Sequence, residues 1–196
     1  MGRPVKFDKE EALQTVVDAF WRSGYEPCSV KALSETLGIT RSSFYNAFDS
    51  REALYKKALE KYFETAPSRA LSNATEGVSV KALITKTYQE ICRTRAEDNR
   101  GCMAVNGVAE LCNTHVELGS LLADTILGSI TDIERLLKWG VAQQELPTNT
   151  NIHAVALALQ TLMIGLNVLC KVVSSETELW LSARTTLEGL NLLLEN

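Results

Sequence analysis

With 196 residues, 45% of them apolar and 22% charged, the chain has the composition of a globular protein of one or two domains, which excludes a disordered one. A formal net charge of −4 argues against non-specific coating of nucleic acid or of an anionic membrane. The average conceals a division: residues 1–62 hold ten Lys and Arg against nine Asp and Glu, while the remainder holds ten against fifteen.

The opening stretch, MGRPVKFDKEE, has no apolar targeting core. Asp8, with Glu11 three residues on, has capping-box chemistry and opens a helix striped by Leu13, Val16, Val17 and Phe20, with Gly24 ending it. Ser29 opens a short helix whose inward side is Val30, Leu33 and Leu37, closed by Gly38. Thr40 opens the next, with Phe44 and Phe48 one turn apart. Asp49 or Ser50 caps a fourth, striped by Leu54, Ala58 and Tyr62. Residues 66–77, bearing Pro, Ser, Asn and Gly, read as a joint. Val80, Leu83, Ile84, Tyr88 and Ile91 then form a helical stripe, and the run EDNRG breaks it. A helix carrying Cys102, Val105, Ala109 and Cys112 follows. A long one over 116–144 has Leu122, Ile126, Ile133, Leu137 and Val141 on one side. After the break ELPTNTN come an apolar helix over 154–173 and a last one striped by Leu179, Ala183, Leu187, Leu190 and Leu194. No strand-like alternation of useful length occurs, so the predicted fold class is all-α.

The run SVKALSETLGITRSSFYNAF has the layout of a helix-turn-helix: two short helices joined by a glycine-containing turn. In that unit the second helix lies in the major groove with its first residues on base edges. Phe44 and Phe48 would fix the angle of this helix, leaving Arg41, Ser42, Ser43, Tyr45 and Asn46 outward. Arg pairs bidentately with guanine, and the hydroxyls suit bases or phosphates. Ser29 and Thr40 stand at helix N-termini, where free N–H groups favour a phosphate. Lys31 and Arg51 add cations nearby. The bland alternative is two capped surface helices of a bundle.

Residues 12–62 resemble the DNA-binding domain of the TetR family of transcriptional regulators. Ala19-Phe20, Gly24, Ser29, Leu33, Gly38-Ile39, Phe44-Tyr45, Phe48, Ser50-Arg51-Glu52 and Leu54 occur in that family's order and spacing. Arg51 stands where Lys is usual. Asn46-Ala47 replaces a frequent polar-His ending, so a His–phosphate contact is not inherited. The resemblance implies a helix-turn-helix domain over 1–62, joined through its fourth helix to a helical ligand-sensing and dimerisation domain over 63–196. It further implies a homodimer on a palindromic double-stranded DNA operator, released by a small-molecule inducer. Repression is the family's commoner habit. The DNA-binding set is then Ser29, Lys31, Thr40, Arg41, Ser42, Ser43, Tyr45, Asn46 and Arg51. The segment Gly2–Pro4 is either a minor-groove arm or a loose terminus.

In the second part, the helix around 154–173 is apolar nearly all round and must be buried on every side. Interrupted by Gln160, Thr161 and Asn167, it falls short of a bilayer span of roughly 20 residues. With the last helix it would form half of a four-helix interface with a second subunit. Cys102 follows Gly101 at the start of a helix, where the dipole and the adjacent Arg100 favour thiolate. Some TetR relatives that respond to oxidants or electrophiles carry a similar Gly-Cys. Cys102 is thus a redox or electrophile sensor or an ordinary core thiol. Met103, Asn106, Leu122, Ile126, Gln160 and Asn167 are the candidate ligand-pocket residues, the polar ones either lining a pocket or pairing with backbone. Cys112 and His115, three apart, lack visible metal partners except His153, so neither metal nor cofactor is expected. Five cysteines cannot all pair, which points to reduced thiols in the cytoplasm. A helical protein-binding adaptor is the competing class. A cysteine enzyme with Cys102 as nucleophile is the weakest.

Overall fold

The computed structural model describes residues 9–194. They form ten helices: α1 (Lys9–Ser23), α2 (Val30–Thr36), α3 (Arg41–Phe48), α4 (Arg51–Phe63), α5 (Arg69–Ser72), α6 (Val80–Glu97), α7 (Met103–Leu111), α8 (Val116–Ala142), α9 (Ile152–Leu169) and α10 (Glu176–Gly189). Among the described residues there is no strand, so the fold is all-α. The Asp8 cap and the Gly2–Pro4 segment lie outside the described residues.

Local chemistry sets the first four helices. The hydroxyl of Ser29 accepts from the Ala32 N–H at 3.2 Å, that of Thr40 from Ser43 at 3.1 Å, and that of Ser50 from Ala53 at 3.0 Å. Each satisfies one of the N–H groups that a helix start leaves open. Of the two candidates, Ser50 therefore caps α4, while Asp49 ends α3 with φ at 65°. Between α2 and α3, Gly38 takes φ at 64°, a conformation that costs glycine little, and the Ile39 N–H closes back on the Ser34 carbonyl at 3.0 Å.

Two hydrophobic cores result. The first joins α1–α4 through Val16, Phe20, Leu33, Phe44, Leu54 and Tyr55, and it continues into Met103, Ala104 and Leu111 of α7 and Leu118 and Leu122 of α8. The second packs α6, α8, α9 and α10 around Tyr88, Leu137, Leu159, Leu166 and Leu187. Packing thus runs across residue 62 without a break, because α7 lies on α1 and α4.

Some expected faces shift. On α7 the buried side is Met103, Ala104, Gly107 and Leu111, with Val105 beside it, whereas Ala109 and Cys112 are exposed. The helix begins at Met103 with Cys102 as its N-cap, and Gly107 is what faces α4. The joint over 66–77 contains the one-turn α5. Helix α8 stops at Ala142, since Gln144 takes φ at 62°. Leu190 and Leu194 fall beyond the end of α10.

Helix α9 is the one described helix long and apolar enough to cross a membrane by length and composition, yet it packs on α6, α8 and α10. It is buried on one side only, through Ala156, Leu159, Gln160, Met163, Leu166 and Asn167. Leu157 and Val168 are 42% and 53% exposed. The expected burial of α9 on every side is therefore not met within this chain, because among the described residues its outer face has no neighbouring helix.

The crossing of α7 over α4 leaves no room for a side chain at Gly107: a Cβ there would stand 2.4 Å from the Tyr55 hydroxyl. Tyr55 is itself buried, at 2% exposure. Gly107→Ala should lower unfolding free energy by about 1–3 kcal/mol, the usual cost of overpacking. Tyr55→Phe in the same chain should restore part of it, measured by chemical denaturation of the four members of the cycle. Additive effects would contradict the contact.

Candidate nucleic-acid interface and adjoining cavity

Phe44 and Phe48, fully buried with ring centroids 5.4 Å apart, pin the inner side of α3. Arg41, Ser42, Ser43, Tyr45 and Asn46 are all exposed on its outer side, Tyr45 at 51%. Ser29 and Thr40 are exposed at the starts of α2 and α3, but their hydroxyls are already engaged as caps, and Thr40 also meets the Ser43 hydroxyl at 2.9 Å. What they still offer outward is backbone N–H groups. Lys31 is exposed and stands 3.9 Å from Glu35, a weak surface pair.

Arg51 differs from the rest. Its guanidinium lies 3.9 Å above the Tyr25 ring, Nη1 donates to the Tyr25 carbonyl at 3.5 Å, and Nη2 is 3.8 Å from Glu26. The side chain is folded back onto the domain and only 21% exposed. Sequence could not show this, because Tyr25 lies 26 residues away.

A belt of polar contacts ties these helices to α7. Both carboxylate oxygens of Glu110 accept backbone N–H groups, from Tyr25 at 2.9 Å and Glu26 at 2.8 Å. The Tyr25 hydroxyl donates to Glu52 at 2.7 Å. This bond holds the Glu52 carboxyl below its ordinary range, while burial, reinforced by Glu52, pushes Tyr25 up to about 12. Trp21 donates to the Gly101 carbonyl at 3.0 Å, and Arg100 stacks 3.8 Å above the same indole while pairing with Asp98 at 2.6 Å and Asp18 at 3.1 Å. Arg100 is thus committed to α1 and Asp98.

Beside the end of α4 lies a cavity of about 460 Å³. Ile126, Gln160 and Asn167 of the expected pocket line it, together with Cys102, Tyr62, Met163 and Arg95. Met103 and Leu122 do not; they are buried residues of the first core. Nor does Asn106, whose amide bonds the Arg100 carbonyl at 2.9 Å and accepts from Lys171 at 2.6 Å. Gln160 accepts from Ser129 at 2.8 Å. Cys102 is half-buried beside the Tyr62 hydroxyl. Cys112 is exposed, and burial pushes the other three thiols up, Cys92 to about 12. His115 caps α8 by accepting the Leu118 N–H at 3.3 Å, and His153 sits 2.7 Å from Glu134. Among the described residues no three His, Cys, Asp or Glu side chains are grouped to hold a metal ion.

The polar residue missed in the sequence is Arg95, which is 5% exposed. Its signal was there: it continues the stripe Tyr88, Ile91 at helical spacing, so a charge occupies a core position.

Two family models match the chain. Residues 13–58 fit the bacterial regulatory proteins of the tetR family, and residues 79–186 fit the tetracyclin repressor-like C-terminal domain. The chain belongs to the TetR family. It is a DNA-binding transcriptional regulator. The HTH-type transcriptional repressor ComR of Escherichia coli (strain K12) is 25% identical over 189 residues, 95% of this chain and 90% of that one. The HTH-type transcriptional repressor BdcR of the same strain is 27% identical over 109 residues, 55% of each chain. Among solved structures, cysteine-substituted CifR, a TetR family transcriptional regulator complexed with 26-bp double-strand operator DNA, superposes with a TM-score of 0.83. It is 27% identical and covers 95% of this chain and 98% of its own.

In this TetR regulator, Tyr25 holds its proton more tightly when folded than its ordinary value near 10 allows. Its contribution to stability is therefore complete below about pH 10 and is lost as pH rises toward about 12. Tyr25→Phe should flatten this alkaline limb by about one proton's worth, without abolishing it, since burial also raises Tyr55, Tyr62 and Tyr88. Urea denaturation across that range checks it; an unchanged slope would contradict the tighter hold of Tyr25 on its proton, set first by burial and then by Glu52.

Proposed function

We propose that this TetR regulator is a dimeric repressor. Its two α3 helices hold a palindromic operator, and an inducer in the cavity, or a modified Cys102 thiol, releases it. The observation that carries the DNA side is the outer face of α3, where five adjacent or near-adjacent polar residues stand clear of the core that fixes the helix. Arg41 reads a guanine edge, Tyr45 and Asn46 reach bases or sugar, and Ser42 and Ser43 let the backbone come close. The N-termini at Ser29 and Thr40, with Lys31, take phosphates. Arg51 reaches a phosphate only by leaving Tyr25, so its first task is to hold the corner between α1 and α4. That CifR, similar over most of this chain, is seen on operator DNA supports a DNA-binding role for this fold.

The dimer reading rests on α9 and α10. Ala154, Leu157, Thr161, Gly165 and Val168 fall on one exposed face of α9, and Leu181 of α10 is 62% exposed. Small residues between two large ones suit close helix packing against a second copy. Two recognition helices roughly 34 Å apart then read a palindrome. The division at residue 62 is functional: α4 passes cavity events to the DNA side, and a shift of its last turn changes the separation of the two α3 helices. Release is the difference in operator affinity between those two arrangements.

Selection of random duplex DNA by the reduced protein should enrich a palindrome, bound with steep salt dependence. Arg41→Ala should weaken that site by about ten- to a hundredfold and relax preference at one base position. Wild-type affinity in this variant would remove Arg41 from the interface, and no enrichment by folded dimer would favour a protein-binding adaptor.

The thiol arm is separable. N-ethylmaleimide should release operator from wild type and from Cys112→Ser but not from Cys102→Ser. Release that persists in Cys102→Ser would overturn the role of Cys102.

A further inference from the structure

Arg95 is a buried cation without an anion. Nε donates to Asn167 Oδ1 at 2.5 Å and Nη2 to the Tyr62 hydroxyl at 2.9 Å, both neutral acceptors. Among the described residues no carboxylate lies within ion-pair reach of it, and Nη1 has no protein partner. The charge of Arg95 acts on Asp98, but that carboxylate is taken by Arg100 at 2.6 and 2.9 Å. A guanidinium carries five N–H donors, and buried charges are as a rule paired. Arg95 instead lines the cavity.

The other charges of the lining do not answer it. Glu60, Glu64 and Asp124 are exposed at the solvent side, with Glu64 paired to Lys61 at 2.8 Å. Asp132 is held by Arg135 at 2.8 Å, and Arg69 donates to the Glu64 carbonyl. The uncharged lining is largely apolar, with Phe63, Leu71, Val105, Ile126 and Met163, and its polar Ser129 and Gln160 bond each other. The cavity's volume of about 460 Å³ falls within the ~300–1,000 Å³ of small-molecule sites.

We infer that this cavity takes an apolar molecule bearing one carboxylate, its head seated on Arg95 and its hydrocarbon body along the apolar wall. A planar fork with free N–H donors matches a carboxylate, and one cation balances one negative charge; a phosphate dianion would stay half-compensated. The inference rests on the reading of the cavity as the inducer site, and it supplies that site with a route outward. Arg95 holds Tyr62 in the last turn of α4 and stands 5.8 Å from the Trp21 ring of α1. A carboxylate on Arg95 competes with the Tyr62 hydroxyl for the same fork and thereby loosens α4.

Calorimetric titration of the full chain with decanoate and with 1-decanol, both below their aggregation limits, separates head from tail. Decanoate should bind at least about tenfold more tightly than the alcohol, the worth of a charge-assisted pair. Arg95→Gln, shown to be folded by its thermal transition, should lose that preference, and Arg95→Lys should keep part of it. Equal binding of the two probes by wild type, or no binding of either, overturns the inference whether or not the variants fold. Operator release is read separately in the same samples. Carboxylate-dependent binding that leaves operator affinity unchanged keeps the Arg95 site and removes its inducer role.

Discussion

Glu110 accepts two consecutive backbone N–H groups, those of Tyr25 and Glu26, where the chain leaves α1. This turn precedes the helix-turn-helix, and a carboxylate from α7, 85 residues away, supplies acceptors that the turn itself lacks. Around that point the Tyr25 ring meets Phe20 and Tyr55, Arg51 stacks on its face, and its hydroxyl reaches Glu52. The orientation of α4 against α1 follows from this corner, and α3 is pinned to the same core by its two phenylalanines. A small three-helix unit would otherwise bury little apolar surface of its own. Leaning on α7 gives it a larger core and makes its geometry depend on the rest of the chain.

The same dependence ties the end of α4 to the rest of the chain. Tyr62 belongs to the first core, yet its hydroxyl is held by Arg95 of α6 and its ring packs on Trp21. A buried cation satisfied by neutral groups can exchange partners at modest cost, unlike one in a buried ion pair. An element with two available arrangements is what coupling between distant sites requires.

Local signals made the helix-turn-helix legible in the sequence: Ser29, Thr40 and Ser50 cap through hydrogen bonds three residues away, and Phe44 and Phe48 follow helical spacing. Gly38 likewise announced its turn. The site beyond those helices was only half legible. Ile126, Gln160 and Asn167 were found because they interrupt or extend apolar stripes near the cavity. Met103 and Leu122 were placed in a pocket but fill the core, since helical period tells that a face is buried and not what it is buried against. Arg95 was passed over although its register marked it. Arg51 turns inward because of Tyr25, a contact that no local pattern encodes. For α9, uniform apolarity pointed to burial on every side, whereas the chain itself buries only one side of it.

Through Glu110, α7 holds the corner from which α3 is positioned. Operator affinity of Glu110→Gln, a change remote from the outer face of α3, tests it most directly. The amide keeps the size of the carboxylate but sets an N–H₂ group against a backbone N–H, losing one of the two bonds. Operator affinity should fall about tenfold, corresponding to roughly 1–2 kcal/mol of misplaced geometry, with the salt dependence unchanged because no phosphate contact is lost. Wild-type affinity in folded Glu110→Gln protein would contradict it.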